Sequence, residues 1–312
     1  ASLVVFDELH KYPRWKQWIK GLFDGNDGKQ RILVTGSARL DTDKKGGDSL
    51  LGRYHYWRLH PFSLGERPAE TTIEQAYSRL MSIGGFPEPF IDDDEREARR
   101  WRKERFDRIL REDVRDLDNI KNLQLLSLFV DTLRQRAGAL ITMSNLARDL
   151  EISPKTAKSW LELCEKMYIL FSVRPYTDNI ARSIQKPPKV FFYDNADTEN
   201  DEGVRLENLV ATHLLKYLQF IEDYEGYRCS LHYIRDRDGR EVDFLTVVDG
   251  KPKDLIEVKL SNSKISSPLK YYSNKLKPER TIQIVGKLER SFHKDEVLVI
   301  DPISFFKSLE EY

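Results

Sequence analysis

The sequence predicts a multidomain protein of the α/β class, and three observations predict it. The first is length. At 312 residues, with 40% hydrophobic and 33% charged residues, the chain can bury more than one core, and two or three domains are expected. The second is a pair of short, continuous apolar runs, "LVVF" (3–6) and "RILVTG" (31–36), of the kind that strands buried on both faces of a parallel sheet display. The third is a C-terminal series of apolar strands alternating with amphipathic helices, punctuated by an Asp-Gly turn.

Charge and cysteine content narrow the function classes. Lys plus Arg and Asp plus Glu are both 51, so no global basic field argues for nucleic acid, although local patches remain open. Cys164 and Cys229 are far apart in apolar contexts and read as reduced thiols of a cytoplasmic protein, not as a disulfide framework. No apolar run approaches 18 residues, so no membrane span is expected, and the opening core strand is unlike a signal peptide.

Between the first two strands, "RWKQWIKGLF" (14–23) places Trp15, Trp18, Ile19 and Leu22 on one helical face, which completes a β-α-β unit. Ligands of such sheets bind at the carboxyl ends of the strands. Asp7 and Glu8 stand at one end, and Thr35, Gly36 and Ser37 at the other. A solvated strand end is the plain reading of the acid pair taken alone.

Residues 1–67 resemble the second half of an AAA+ ATPase core. The apolar strand with Asp-Glu is similar to a Walker B motif and "TGS" to sensor 1. By this resemblance Asp7 holds Mg²⁺ through its water shell, and Glu8 polarises the water that attacks the γ-phosphate of ATP. Ser37 or Thr35 offers a hydroxyl near that phosphate. "LLGRYHYWRLHPFSLGE" (50–66) is similar to a subgroup of prokaryotic ATPases, and Arg53 becomes the candidate arginine finger, which implies a homo-oligomer. A P-loop needs G-x-x-x-x-G-K-[ST], and neither "GNDGKQ" nor "VDGKPK" meets that spacing. The resemblance places the P-loop upstream of Walker B, so the phosphate cradle is expected to lie outside these residues.

Residues 68–120 turn helical. "TTIEQAYSRLMSIG" opens on a Thr cap, "GGFPEPF" is a turn, and "DDDEREARRWRKERFDRILREDVRDL" sets acids before bases, as a helix dipole favours. This stretch resembles the helical lid of AAA+ proteins. Residues 121–175 read as helix, helix, turn, helix, strand, the order of a winged helix-turn-helix. Ser153 caps the helix after the turn, with Pro154 at its first position. That helix exposes Lys155, Thr156, Lys158 and Ser159, residue types that contact phosphates and base edges. A packing or protein-contact role is the alternative.

Residues 176–312 hold the densest chemistry. "RLENLVATHLLKYL" (205–218) is an amphipathic helix. "CSLHYIRD" and "REVDFLTVVDG" form a hairpin across Asp238-Gly239, and "DLIEVKL" is a further strand. Strand alternation puts Glu257 and Lys259 on one face, which is costly in an apolar strand unless the two are paired or used. Asp243, Glu257-x-Lys259 and the helical Glu207 resemble the PD-(D/E)XK nuclease superfamily. The resemblance implies one or two Mg²⁺ ions on Asp243 and Glu257 with help from Glu207, and Lys259 beside the attacking hydroxide or the phosphate. A plain Glu257–Lys259 ion pair is the competing reading.

AAA+ core, helical lid, winged helix and nuclease-like domain together resemble a widespread family of prokaryotic ATPases. Two functions follow as expectations. In one, an ATPase acts on DNA with a Mg²⁺-dependent nuclease domain. In the other, a nucleotide-controlled switch carries an inert nuclease-like domain that binds DNA or protein.

Overall fold

A computed structural model describes residues 2–26, 28–36, 50, 52–114, 122–177, 186–199 and 201–310. Ser37, one of the two candidate sensor hydroxyls, lies outside the described residues.

The N-terminal unit is the expected β-α-β. Strands β1 (Ser2–Phe6) and β2 (Gln30–Val34) pair in parallel, Phe6 beside Val34, with α1 (Trp15–Asp24) between them in sequence. Trp15 and Ile19 are buried against Phe6, Ile32 and Val34, and Leu22 packs at the edge. Trp18 meets Phe6 edge-on at 4.9 Å but stays 40% exposed. One expectation is corrected here. Among the described residues the apolar strands are covered on one face only, because period-two alternation sends Leu3, Val5 and Leu33 to the other face, where they are 62%, 52% and 46% exposed.

The rest of the chain builds around an eight-stranded mixed sheet. Its strands are β3 (Leu170–Pro175), β4 (Lys189–Phe192), β5 (Cys229–Arg235), β6 (Glu241–Val248), β7 (Lys251–Lys259), β8 (Arg280–Val285), β9 (Phe292–Lys294) and β10 (Val297–Ile300). The spatial order is β4-β3-β5-β6-β7-β8-β10-β9. The hairpin β5–β6 closes as predicted, with Gly239 at φ 82° and Asp236 Oδ1 accepting from the Asp238 and Arg240 amides. The strand at the end of the predicted winged helix, β3, pairs in parallel with β5, so a cut after 175 runs through a continuous sheet.

Helices cover this sheet. α2 (Ile73–Ser82), α3 (Pro87–Asp92) and α4 (Glu95–Arg108) come from the stretch read as a lid; α4 continues as a π-helical turn, Ile109–Val114. Thr72 caps α2 in a reciprocal box with Gln75. Ala76, Leu80 and Phe90 share one core with residues of the long central helix α8 (Glu202–Glu225), so this stretch packs into the C-terminal body. A second core gathers α5 (Leu123–Arg134), α6 (Met143–Asp149) and α7 (Pro154–Lys166) with Leu170, Val190 and Phe192. α9 (Ser267–Leu276) and α10 (Pro302–Glu310) complete the body. Asn208, fully buried on α8, pins β4 by accepting from Phe192 N at 2.8 Å and donating to Phe192 O at 3.0 Å.

Residues 54–67 form a strap along α8. Arg58 reaches Asp223 at 2.6 Å and Glu222 at 2.5 Å. His60 Nε2 lies 2.6 Å from Gln219 Oε1, and Lys216 Nζ donates to Pro61 O at 2.9 Å and pairs with Glu66. The glycine-rich turn locks onto the strap: Phe62 N donates to Gly85 O at 2.7 Å, and a Cβ on Gly85 would lie 2.8 Å from Phe62 O. The stretches "LHPFSLGE" and "GGFPEPF" therefore touch each other and serve packing.

Candidate functional sites

The first candidate site sits at the ends of β1 and β2. Their parallel register sets Asp7 beside Thr35, and Thr35 Oγ1 donates to Asp7 Oδ1 while Thr35 N donates to Phe6 O. Glu8 follows in the left-handed region at φ 52°, an unfavourable conformation for a side-chain-bearing residue. Its carboxylate lies 3.1 Å from Lys11 Nζ and 3.6 Å from His10 Nε2. Arg53 lies apart from the acids: its Nε meets Asp24 Oδ1 at 2.9 Å, and that hydrogen bond holds Asp24 below the usual carboxylate range. Asp7 and Thr35 thus come together, whereas Arg53 is turned to α1.

The second candidate site lies on the sheet under α8. Phe244 pairs with Ile256 across β6 and β7, so Asp243 comes opposite Glu257 on one face, and Asp243 Oδ2 accepts from Val258 N at 2.9 Å. Lys259 Nζ is 2.6 Å from Glu257 Oε1. Glu257 is 4% exposed, and its Oε2 has no hydrogen-bond partner among the described residues. Burial first, then the charge of Asp243, pushes Glu257 up to about 7 against the pull of Lys259. Glu207 arrives from α8 and is likewise pushed up to about 7, by burial and then Asp243, against the pull of Lys189.

Two members of this cluster went unread in the sequence. Lys189 Nζ lies 2.8 Å from Glu241 Oε1, 3.2 Å from Glu207 Oε1 and 3.5 Å from Asp243 Oδ1. Burial alone would lower its ammonium, but the three carboxylates hold it above the ordinary lysine value. Despite burial, Lys189 and Arg235 hold Glu241 below its ordinary range. Glu241 was legible in principle, being two residues before Asp243 and therefore on the same strand face. Lys189 had no local signal, because 54 sequence positions separate it from Asp243 and only the sheet order joins them.

The candidate nucleic-acid residues lie on α7. Thr156 serves as a cap contact, its amide donating to Ser153 Oγ at 3.0 Å and its hydroxyl lying 2.8 Å from the same oxygen. Lys155 is exposed, and Lys158 is loosely paired with Glu162 at 4.0 Å. Among the described residues, no group of three or more His, Cys, Asp or Glu is placed to hold a metal ion, and no helix is long and apolar enough to cross a membrane.

Comparison with known proteins divides the chain in three. Residues 1–67 match an AAA domain, residues 74–196 a domain of unknown function (DUF8612), and residues 202–306 another domain of unknown function (DUF4143). The AAA match supports an AAA-like ATPase relationship for residues 1–67, and the other two matched domains carry no assigned function. The chain is 26% identical over 341 aligned positions to the uncharacterized protein MJ1544 of Methanocaldococcus jannaschii, covering 97% of this chain and 74% of that protein. It is 22% identical over 262 positions to the uncharacterized protein Rv2008c of Mycobacterium tuberculosis, covering 81% of this chain and 57% of that one. The chain thus spans little more than half the length of the mycobacterial relative. No solved structure matches it.

Proposed function

We propose that this chain is part of an ATP-hydrolysing protein that acts on DNA, with the β1–β2 strand ends as its hydrolytic centre and the eight-stranded body as its DNA-directed part. The observation that carries the reading is the Thr35 hydroxyl on Asp7 across adjacent parallel strand ends. It supports a Walker B acid and a sensor hydroxyl side by side, where nucleotide phosphates bind on such sheets. Mg²⁺ would be held by Asp7 and would supply charge neutralisation at the phosphates. Glu8 is the group that orients water, and its left-handed backbone is the kind of local strain that functional acids carry. Arg53 acts in trans on a second copy only after leaving Asp24.

DNA enters the reading through the body. The helix, hairpin and E-x-K strand follow the nuclease-like order, and Lys155, Thr156 and Lys158 lie on the helix after the predicted turn. A second reading, a nucleotide-controlled switch with an inert nuclease-like body, is favoured by one observation: the carboxylates of the cluster are engaged by Lys189 and Lys259.

Steady-state ATP hydrolysis by the natural full-length protein tests the centre. Glu8→Gln should cut turnover by two or more orders of magnitude and leave nucleotide affinity within a few-fold. Unchanged turnover in Glu8→Gln would remove Glu8 from the mechanism. Mg²⁺-dependent cleavage of single- and double-stranded DNA by the same protein separates the two readings.

A further inference from the structure

The nuclease-like reading implies a divalent cation on Asp243 and Glu257, and the side chains as arranged do not fit one. Mg²⁺ demands oxygen ligands at about 2.1 Å in near-octahedral geometry. Here Asp243 Oδ1, Glu207 Oε1 and Glu257 Oε1 each face an ammonium group, and Asp243 Oδ2 is taken by the Val258 amide. Lys189 is 4% exposed and touches Glu207, Glu241 and Asp243, while Lys259 takes Glu257. We infer that Lys189 is a built-in counter-ion held between Asp243 and Glu207, two of the three carboxylates that this reading gives to a divalent cation, so that Lys189 and a metal ion exclude each other at this site. The inference rests on the nuclease-like reading of the cluster and says what keeps it closed.

Two features make the closure specific. The backbone around Lys189 is gripped from both sides: Ile141 N donates to Pro188 O at 2.8 Å, Gly138 N to Val190 O at 2.9 Å, and Tyr233 Oη to Pro187 O at 2.7 Å. Gly138 sits at φ 74°, and a Cβ there would lie 3.2 Å from Glu207 Oε2, so the segment after α5 comes close to the cluster at a position whose backbone favours glycine. Electrostatics supplies the exclusion. A dication and an ammonium repel each other strongly when brought within contact distance in a poorly solvated cluster, whereas either cation alone relieves the mutual repulsion of the carboxylates.

The test is a Mn²⁺ titration of the full chain, read by calorimetry and by thermal unfolding, without nucleotide or DNA. Lys189→Met, and the charge-compensated Lys189→Met/Glu241→Gln in case the single variant fails to fold, should bind Mn²⁺ at least tenfold more tightly than the parent. Adding Asp243→Asn should abolish that gain. If the parent binds Mn²⁺ as tightly as the variants and loses it on Asp243→Asn, the closure is wrong and the nuclease-like reading stands. If neither parent nor variants bind Mn²⁺ through Asp243, the closure and the metal part of that reading fall together.

Discussion

Strands β1 and β7 each carry a short apolar run that leads straight into an acid, Val4-Val5-Phe6 into Asp7 and Leu255-Ile256 into Glu257, yet they meet opposite fates. In β7, Leu255 and Ile256 are fully buried, one on each face, and Glu257 is carried into a shielded cluster. In β1, Val5 and Leu3 face outward and Asp7 is exposed. The difference lies in neighbours: β7 sits between β6 and β8 under α8 and α9, whereas β1 has, among the described residues, one partner strand and one packed α-helix. An apolar run therefore states what a strand can bury, and the surrounding layers decide what it does bury.

The largest expected effect separates the two regions thermodynamically. Phe244 is fully buried in the body, and Phe244→Ala should cost it roughly 3–5 kcal/mol. Ile19→Ala removes packing from the small N-terminal core alone and should leave the main transition in place. Calorimetric unfolding of both variants decides this. A main transition lowered equally by Ile19→Ala would mean that the two regions unfold as one.

The strap offers a second, pH-dependent contrast, since it belongs by sequence to the N-terminal region and by packing to the body. His213 on α8 is buried; its Nδ1 donates to Leu209 O at 2.9 Å, and its Nε2 accepts from Leu64 N of the strap at 3.2 Å. Burial pushes its pKa down from 6.5 to about 4, and His60 is pushed down to about 4 by burial as well. Both are neutral in the folded state and take up protons more readily when unfolded. The stability they contribute is complete above pH 6.5 and is lost as the pH falls towards 4. For His213 the loss is of order 3 kcal/mol. Urea titrations at pH 7 and pH 4.5 should show it, and His213→Gln should flatten the profile over that window. A profile unchanged by His213→Gln would remove His213 from the acid response.

How much was legible divides along the same line. Local patterns carried the β-α-β unit, the caps at Thr72 and Ser153, the Asp238-Gly239 hairpin and the facing of Glu257 with Lys259, because each depends on residues within one or two elements. The placement of β3 beside β5, the packing of α2 and α3 into the body, and the arrival of Lys189 among the carboxylates were not legible. Each depends on which distant segments share a sheet or a core, and a strand's sequence does not name its neighbours. Arg53 is the mixed case: the motif was readable, but its hold on Asp24 is a contact between loop and helix with no sequence signature.

The smallest expected effect is the sharpest probe of the exposed face. Val5 pairs across the sheet with Leu33, and both side chains are about half exposed, so replacing one γ-methyl of Val5 by a hydroxyl meets water rather than a core. Threonine is β-branched and suits a strand as well as valine does. Val5→Thr should therefore change the stability of this chain by no more than about 0.5 kcal/mol. In a longer natural chain whose further layer covers this face, the same hydroxyl would be buried without a partner, and the cost should rise to roughly 1–3 kcal/mol. The measurement is a pair of denaturant titrations, parent against Val5→Thr, in each chain. A larger loss in the longer chain would make β1 an interior strand like β7. Equal, negligible losses in both would leave β1 an edge strand whose apolar face stays in water, and the contrast with β7 would then be intrinsic to the fold.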